Sequence, residues 1–225
     1  MNRPYIFCHM MSSVDGRIDC AMTEKIDNSD VYYDLLEKLN PDATLEGRVT
    51  KQIHYALPEP FVAGDKTPIG RETVHNATRE GRLDIAIDTH GSLRWPEDAC
   101  KNNMLVVTDE ACPKAYHDYL SGLGLSWIAV GKNGIDFQRL VEILADQFGV
   151  KRLGVVGGGH INGAFLAAGL LDEVSLELAA GIDGRAGMAA VFDGLPMDAP
   201  TTLLTLTHVE RVSDNSVWLR YRLGR

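Results

Sequence analysis

The stretch LGVVGGGHINGAFLAAGLLDEV, residues 153–174, sets an apolar run, three consecutive glycines and a helix-like pattern in that order. The short continuous run 153–156 reads as a buried strand. Ile161, Ala164, Phe165 and Ala168 recur at helical spacing and Gly169 suits a helix end, so a helix is expected to begin near His160. Gly157, Gly158 and Gly159 then sit between a strand and a helix N-terminus. Such a place offers free N–H groups and the positive end of the helix dipole to an anion, and glycine lets the anion approach the backbone. The same glycines also make an ordinary tight turn, and by themselves they do not choose. They are not a dinucleotide fingerprint, because GxGxxG would need a glycine where Asn162 stands. They are not a P-loop either, since no Gly-Lys-Ser/Thr follows.

Working outward, further apolar runs at 5–11, 43–45, 83–87, 104–107 and 125–130 read as strands, and helical patterns fall between several of them. Phe137, Leu140, Val141, Leu144 and Phe148 mark one helix, with Asp136 as N-cap and Gly149 as its stop. Val31, Leu35 and Leu39 mark another, capped by Ser29 or Asp30, and residues 112–124 suggest a third. This alternation predicts an α/β fold, a mostly parallel sheet flanked by helices. The tail differs. TTLLTLTHVERV and SVWLRYRL flank the turn residues Asp214 and Asn215, so these two strands form an antiparallel ribbon and the sheet is mixed. Residues 57–82 carry three prolines and read as a long loop excursion of the kind that is often functional. With no convincing linker, residues 1–225 are expected to form a single domain.

A net charge of −9 provides no basic excess for general nucleic-acid binding. No run approaches a membrane span, and the N-terminal residues lack the apolar core of a signal peptide. Four cysteines without paired spacing suggest a reduced, cytoplasmic protein. The seven histidines form no HExxH, and no PCxxC occurs, so no metal site is expected.

Two other segments bear on the glycines. Gly47-Arg48-Val49-Thr50 ends a strand and enters a helix, where a first-turn cation opposes the dipole unless an anion meets it. Near the start, SSVDGRI sets Asp15-Gly16 directly after the first strand. VVGGGHINGAFL resembles the glycine motif of dihydrofolate reductases, and GRVT resembles their Gly-Arg-x-Thr segment. SVDGRI together with GGGHINGAFLAAGLLDEVSLELA more closely resembles the RibD C-terminal reductase domain and related pyrimidine reductases, which share the dihydrofolate-reductase-like fold. The likeness runs through nearly the whole chain and is weakest over residues 57–82. It departs at Gly157, where such reductases commonly carry a substrate-contacting Glu, and at Ala180, where a proline is usual. Their Asp-Asp-Pro segment is not evident either.

The resemblance implies a nicotinamide-dependent reductase, usually using NADPH, of the type of the 5-amino-6-(5-phosphoribosylamino)uracil reductase of riboflavin biosynthesis. Gly47, Arg48 and Thr50 would meet the cofactor phosphates and Thr108 would lie near the adenosine ribose. Gly157, Gly158, Gly159, His160, Ile161 and Asn162 would wrap the pyrophosphate, with a cis bond between Gly157 and Gly158. Asp15 is the candidate for a catalytic and substrate-contacting role, either accepting a substrate hydroxyl or supplying a proton, with bound water as the other proton source. Arg17 is a candidate for a substrate phosphate, and Glu177 faces either a cleft or solvent. Arg48 favours the 2′-phosphate of NADPH, whereas Asp109 would favour a free 2′-hydroxyl unless it turns to solvent. The expected partner is a small-molecule substrate, and a homodimer formed through the apolar ribbon is expected too. Reduction of a pterin or another small molecule, and NADPH binding without turnover, stay open as alternatives.

Overall fold

The computed structural model describes residues 2–26 and 29–224. The chain divides into two compact units, Asp42–Lys151 with the N-terminal residues through Pro4, and Tyr5–Pro41 with the chain from Arg152 onward.

The first unit has strands in the order β3-β6-β5-β4-β2. They are β2 (Ala43–Gly47), β3 (Thr73–His75), β4 (Leu83–Ile87), β5 (Met104–Thr108) and β6 (Ser126–Ala129). β2, β4, β5 and β6 run parallel, and β3 adds antiparallel at the edge. All five residues of β5 are buried, as a strand covered on both faces requires. Helices α3 (Arg48–His54), α4 (Lys114–Gly122) and α5 (Phe137–Phe148) belong to this unit. α5 has the bounds its spacing predicts. The Asp136 carboxylate accepts from Arg139 N–H, and Gly149 closes the helix at φ 67°, a left-handed conformation that glycine adopts at little cost. Residues 57–82 are not a free excursion. Phe61 stacks on Tyr119 and tilts against Tyr116, and Ile69 and Gly70 donate to the carbonyls of Cys112 and Glu110. Phe61 and Ile69 of that segment pack against the unit's core around Trp95, Tyr116, Leu120 and Trp127.

The second unit orders its strands β7-β1-β8-β10-β9. They are β7 (Arg152–Val155), β1 (Tyr5–Ser12), β8 (Glu173–Ala179), β10 (Ser216–Leu223) and β9 (Leu204–Arg211). β7, β1 and β8 are parallel, and the β10–β9 ribbon continues antiparallel from β8. Its helices are α1 (Cys20–Ile26), α2 (Ser29–Leu39) and α6 (Gly159–Ala167). The residue before Ser29, where α2 would be capped, lies outside the described residues. Leu35, Leu36 and Leu39 of α2 pack with Phe7, Val156 and Trp218.

A polar chain crosses this core. His9 Nε2 lies 3.1 Å from Tyr32 O, and Nδ1 lies 2.9 Å from Ser175 Oγ. Trp218 Nε1 donates to the same Oγ at 2.7 Å. A carbonyl only accepts, so Nε2 carries the ring proton and Nδ1 accepts from the serine hydroxyl. Every group is satisfied with a neutral imidazole, and burial lowers the His9 pKa to about 4.

Candidate functional site

In the second unit, β7 leads into the glycine turn. Gly157 has φ 131°, which an L side chain rarely adopts, and the Gly157–Gly158 peptide is cis. Gly158 is the extended N-cap of α6, with no side chain capping the helix. A Cβ placed there would meet nothing within 4 Å, so this turn is open to a ligand. The first helical bonds are donated by Ile161 and Asn162 to Gly158 O, which leaves the N–H groups of Gly159 and His160 ahead of the ladder. No acidic side chain occupies the first turn. These features fit a phosphate-bearing cofactor.

The rest of α6 differs from its sequence pattern. Of the expected stripe, only Phe165 is buried; the other buried positions are Gly159, Asn162 and Gly163. The reason is the partner. Chain from the β8–β9 connection lies on this face, and a Cβ on Gly159 or Gly163 would run into Ala190 O or into Asp193. Asn162 is fully buried and its Nδ2 donates to Val191 O at 2.7 Å, so its side chain is committed to that segment rather than to the turn. The His160 ring lies against Gly194.

The loop after β1 lies at the same carboxyl end of these parallel strands, where α/β sheets bind ligands. Asp15 is exposed, and its carboxylate accepts from Ser13 Oγ at 2.7 Å, Asp183 N at 3.0 Å and Gly184 N at 2.9 Å. These donors, the Ser13 hydroxyl foremost, hold its pKa far below the usual carboxylate range. These contacts favour the ionised form of Asp15 and shape the loop around it. Arg17 Nη1 donates to Met188 O at 2.7 Å. Its Nε is buried without a hydrogen-bond partner. A half-buried cation so placed suits an anion. Glu177 is fully buried on β8 between Met11 of β1 and Trp218 of β10, so it does not face solvent.

In the first unit, Gly47 and Thr108 are the last residues of the parallel strands β2 and β5, at one end of that sheet. Gly47 is the extended N-cap of α3, Arg48 is exposed, and Thr50 is half-buried in the first turn. The Thr108 hydroxyl is buried and engaged with His117 Nε2 at 2.8 Å, so it is committed within the fold. Asp109 does not turn to solvent. It is 2% exposed and accepts from Ala111 N and Gly134 N. Nothing in the sequence pattern singled out Lys51, which is fully buried on α3 between Asp84 and Glu46 at 2.5 and 3.3 Å. Burial raises the Glu46 pKa. This ion cluster ties α3 to β2 and β4 just beyond Arg48.

Also unread in the sequence is the connection 180–203. It carries Met188, Ala190, Val191 and Asp193, which contact the first loop or α6. The structure thus brings Asp15, Arg17 and the glycine turn around one segment of the second unit. It groups Gly47, Arg48 and Thr50 in the first. Among the described residues no helix is long and apolar enough to cross a membrane, and no three His, Cys, Asp or Glu side chains form a metal-holding group.

The family model described as the RibD C-terminal domain matches residues 4–218. A 2,5-diamino-6-ribosylamino-4(3H)-pyrimidinone 5′-phosphate reductase of Aquifex aeolicus is 26% identical over 188 residues, covering 78% of this chain and 76% of that protein. A pyrimidine reductase-like protein of Corynebacterium diphtheriae superposes with a TM-score of 0.74 at 17% identity, over 100% of this chain and 93% of that one. RibD of Acinetobacter baumannii superposes with a TM-score of 0.71 at 20% identity over the whole of this chain, which spans 59% of that RibD. These structural likenesses identify the fold as that of the RibD reductase portion, the dihydrofolate-reductase-like fold read from the glycine motif.

Proposed function

This chain belongs to the RibD C-terminal domain family, and on that premise we propose that it is an NADPH-dependent reductase of a phosphorylated ribosylaminopyrimidine in riboflavin biosynthesis. The observation that carries the proposal is the open glycine turn at the head of α6, gathered around one segment with Arg17, whose guanidinium Nε has no hydrogen-bond partner. NADPH, when bound, supplies the hydride that reduces the ribosyl group to a ribityl chain. The protein's part is to orient and to exclude water. The N–H groups of Gly159 and His160 hold the pyrophosphate. Arg17 holds the substrate phosphate, and ionised Asp15 keeps the loop shaped around Ser13 and accepts from a substrate hydroxyl. The proton comes from bound water. Arg48 reads the 2′-phosphate; in support, Asp109 has both oxygens turned onto backbone N–H groups and away from that task.

We read residues 1–225 as one functional domain, because the family model runs through both units. We also read the enzyme as cytoplasmic, supported by four free cysteines. A homodimer through β9 is supported by that strand's exposure. Among the described residues it pairs only with β10, and it presents Leu204, Leu206 and Val209 to solvent, a sheet edge that proteins normally cover. Light scattering that gives the monomer mass at micromolar concentration rejects the dimer.

The test of function is direct. The protein is mixed with NADPH and either the Aquifex relative's pyrimidinone phosphate or its deaminated uracil counterpart. Reduced nicotinamide absorbance is followed, and the product is weighed for two added hydrogens. Turnover with one of them is expected. NADPH binding without turnover of either overturns the proposal in favour of a non-catalytic binder.

A further inference from the structure

One segment of the β8–β9 connection touches both loops of the candidate site. On one side it pairs with the loop after β1. Ile18 N donates to Ala189 O at 3.1 Å, Val191 N donates to Gly16 O at 3.2 Å, and Arg17 and Ala190 form an antiparallel bridge. On the other side it lies on α6. Asn162 Nδ2 donates to Val191 O at 2.7 Å, and Asp193 N donates to Gly159 O at 3.0 Å. The Asp193 carboxylate turns back to accept from Ala190 N at 2.8 Å, which fixes the bend between the two sides. Gly159 and Gly163 lack the Cβ atoms that would push this segment away.

We propose that residues 189–193 are a strap that holds the glycine turn and the loop carrying Asp15 and Arg17 in one geometry, with Asn162 and Asp193 as its positioning residues. Two of the glycines in the motif then have a reason besides the ligand. Gly158 faces open space, whereas Gly159 and Gly163 serve the strap. Asn162 acts through Val191 on Gly16, next to Arg17, and not on the cofactor. The substrate-side consequence rests on the function proposed above; the mechanical coupling does not.

Hydrogen exchange read by mass spectrometry, on the full chain without substrate, tests the coupling. Asn162→Ala and Asp193→Ala each remove one strap hydrogen bond. Each should speed exchange over residues 16–18 and 189–193 by about tenfold, while the β1 and β7 amides keep wild-type rates. Asp193→Asn keeps an acceptor for Ala190 N and should stay near wild type. Asp193 is only half-buried, so its pair of variants stands even if Asn162→Ala fails to fold. Wild-type exchange over residues 16–18 in Asp193→Ala overturns the strap. So does Asp193→Asn behaving as Asp193→Ala. With NADPH added, nicotinamide fluorescence should give a dissociation constant for Asn162→Ala within about threefold of wild type, since the backbone N–H groups remain. A loss of a hundredfold there, with loop exchange unchanged, makes Asn162 a cofactor ligand instead. Once a pyrimidine substrate is established, its KM should rise about tenfold in the same variants. Failure to find a substrate leaves the exchange result standing, so the two proposals fail separately.

Discussion

His9 offers a test of the fold that needs no ligand. Its ring is buried, and its two nitrogens pair with Tyr32 O and Ser175 Oγ. Burial lowers its pKa from 6.5 to about 4. Above pH ~6.5 both the folded and unfolded chains hold a neutral imidazole, and the group contributes no pH dependence. Between about 6.5 and about 4 the unfolded chain binds a proton that the folded chain refuses, so stability falls as pH falls. Each pH unit in that window costs about 1.4 kcal/mol per group, or about 2 kcal/mol by pH ~5 and about 3 kcal/mol by pH ~4. His117, buried beside Thr108, has its pKa lowered by burial to about 4 as well, so the wild type should lose roughly twice that. His9→Gln removes one share. It should cost about 1–2 kcal/mol at neutral pH through the broken chain, yet lose about 2 kcal/mol less than wild type between pH ~6.5 and pH ~5. Urea unfolding at several pH values, followed by circular dichroism and tryptophan fluorescence, measures both slopes. If the variant and the wild type weaken in parallel as pH falls, His9 is not held neutral in the folded chain.

Three further results are expected. Gly158→Val should abolish measurable NADPH binding, a loss of at least about a hundredfold, while the fold survives, because φ −87° and ψ −171° suit any residue and nothing lies within 4 Å of the new Cβ; calorimetry showing normal binding reduces the motif to a turn. Arg48→Ala should weaken NADPH by about one to two orders of magnitude and barely change NADH, whereas equal losses for both cofactors would mean that Arg48 does not read the 2′-phosphate. Asp15→Asn should slow turnover without removing any ionisation from the pH–rate profile, since the wild-type carboxylate is already ionised throughout; the disappearance of an ionisation between pH ~5 and pH ~8 would restore Asp15 as the proton donor.

The regular elements were legible where a local rule acted alone. α5 could be bounded to the residue because Asp136, an i, i+3, i+4 apolar stripe and Gly149 all agree. The C-terminal ribbon was legible from two strand patterns too close together to be parallel. β3 was not, because three half-buried residues at a sheet edge leave no periodic signal. α1 was not, because only Met22 of its seven residues is buried, so it carries no apolar stripe to read. For residues 57–82 the loop reading was legible from the prolines, but Phe61, whose ring is anchored among tyrosines supplied by α4, was not.

The candidate site was legible as a motif and illegible as a set of contacts, and α6 shows why. A stripe of Ile161, Ala164, Phe165 and Ala168 presumes that a helix buries its apolar side against apolar side chains. Here much of what covers the helix is polypeptide backbone, and backbone asks for different residues. It needs absent Cβ atoms, hence Gly159 and Gly163, and it needs a donor for a buried carbonyl, hence Asn162 beneath Val191. Sequence periodicity cannot report a partner of that kind, because glycine and asparagine score as breakers in a helix pattern. The same physics separates the three glycines of the turn. Gly157 is required by its positive φ, Gly159 by the strap, and only Gly158 is left with space beside it. A motif that reads as one feature is therefore three constraints with three causes, and the residue that substitution can test for ligand binding alone is Gly158.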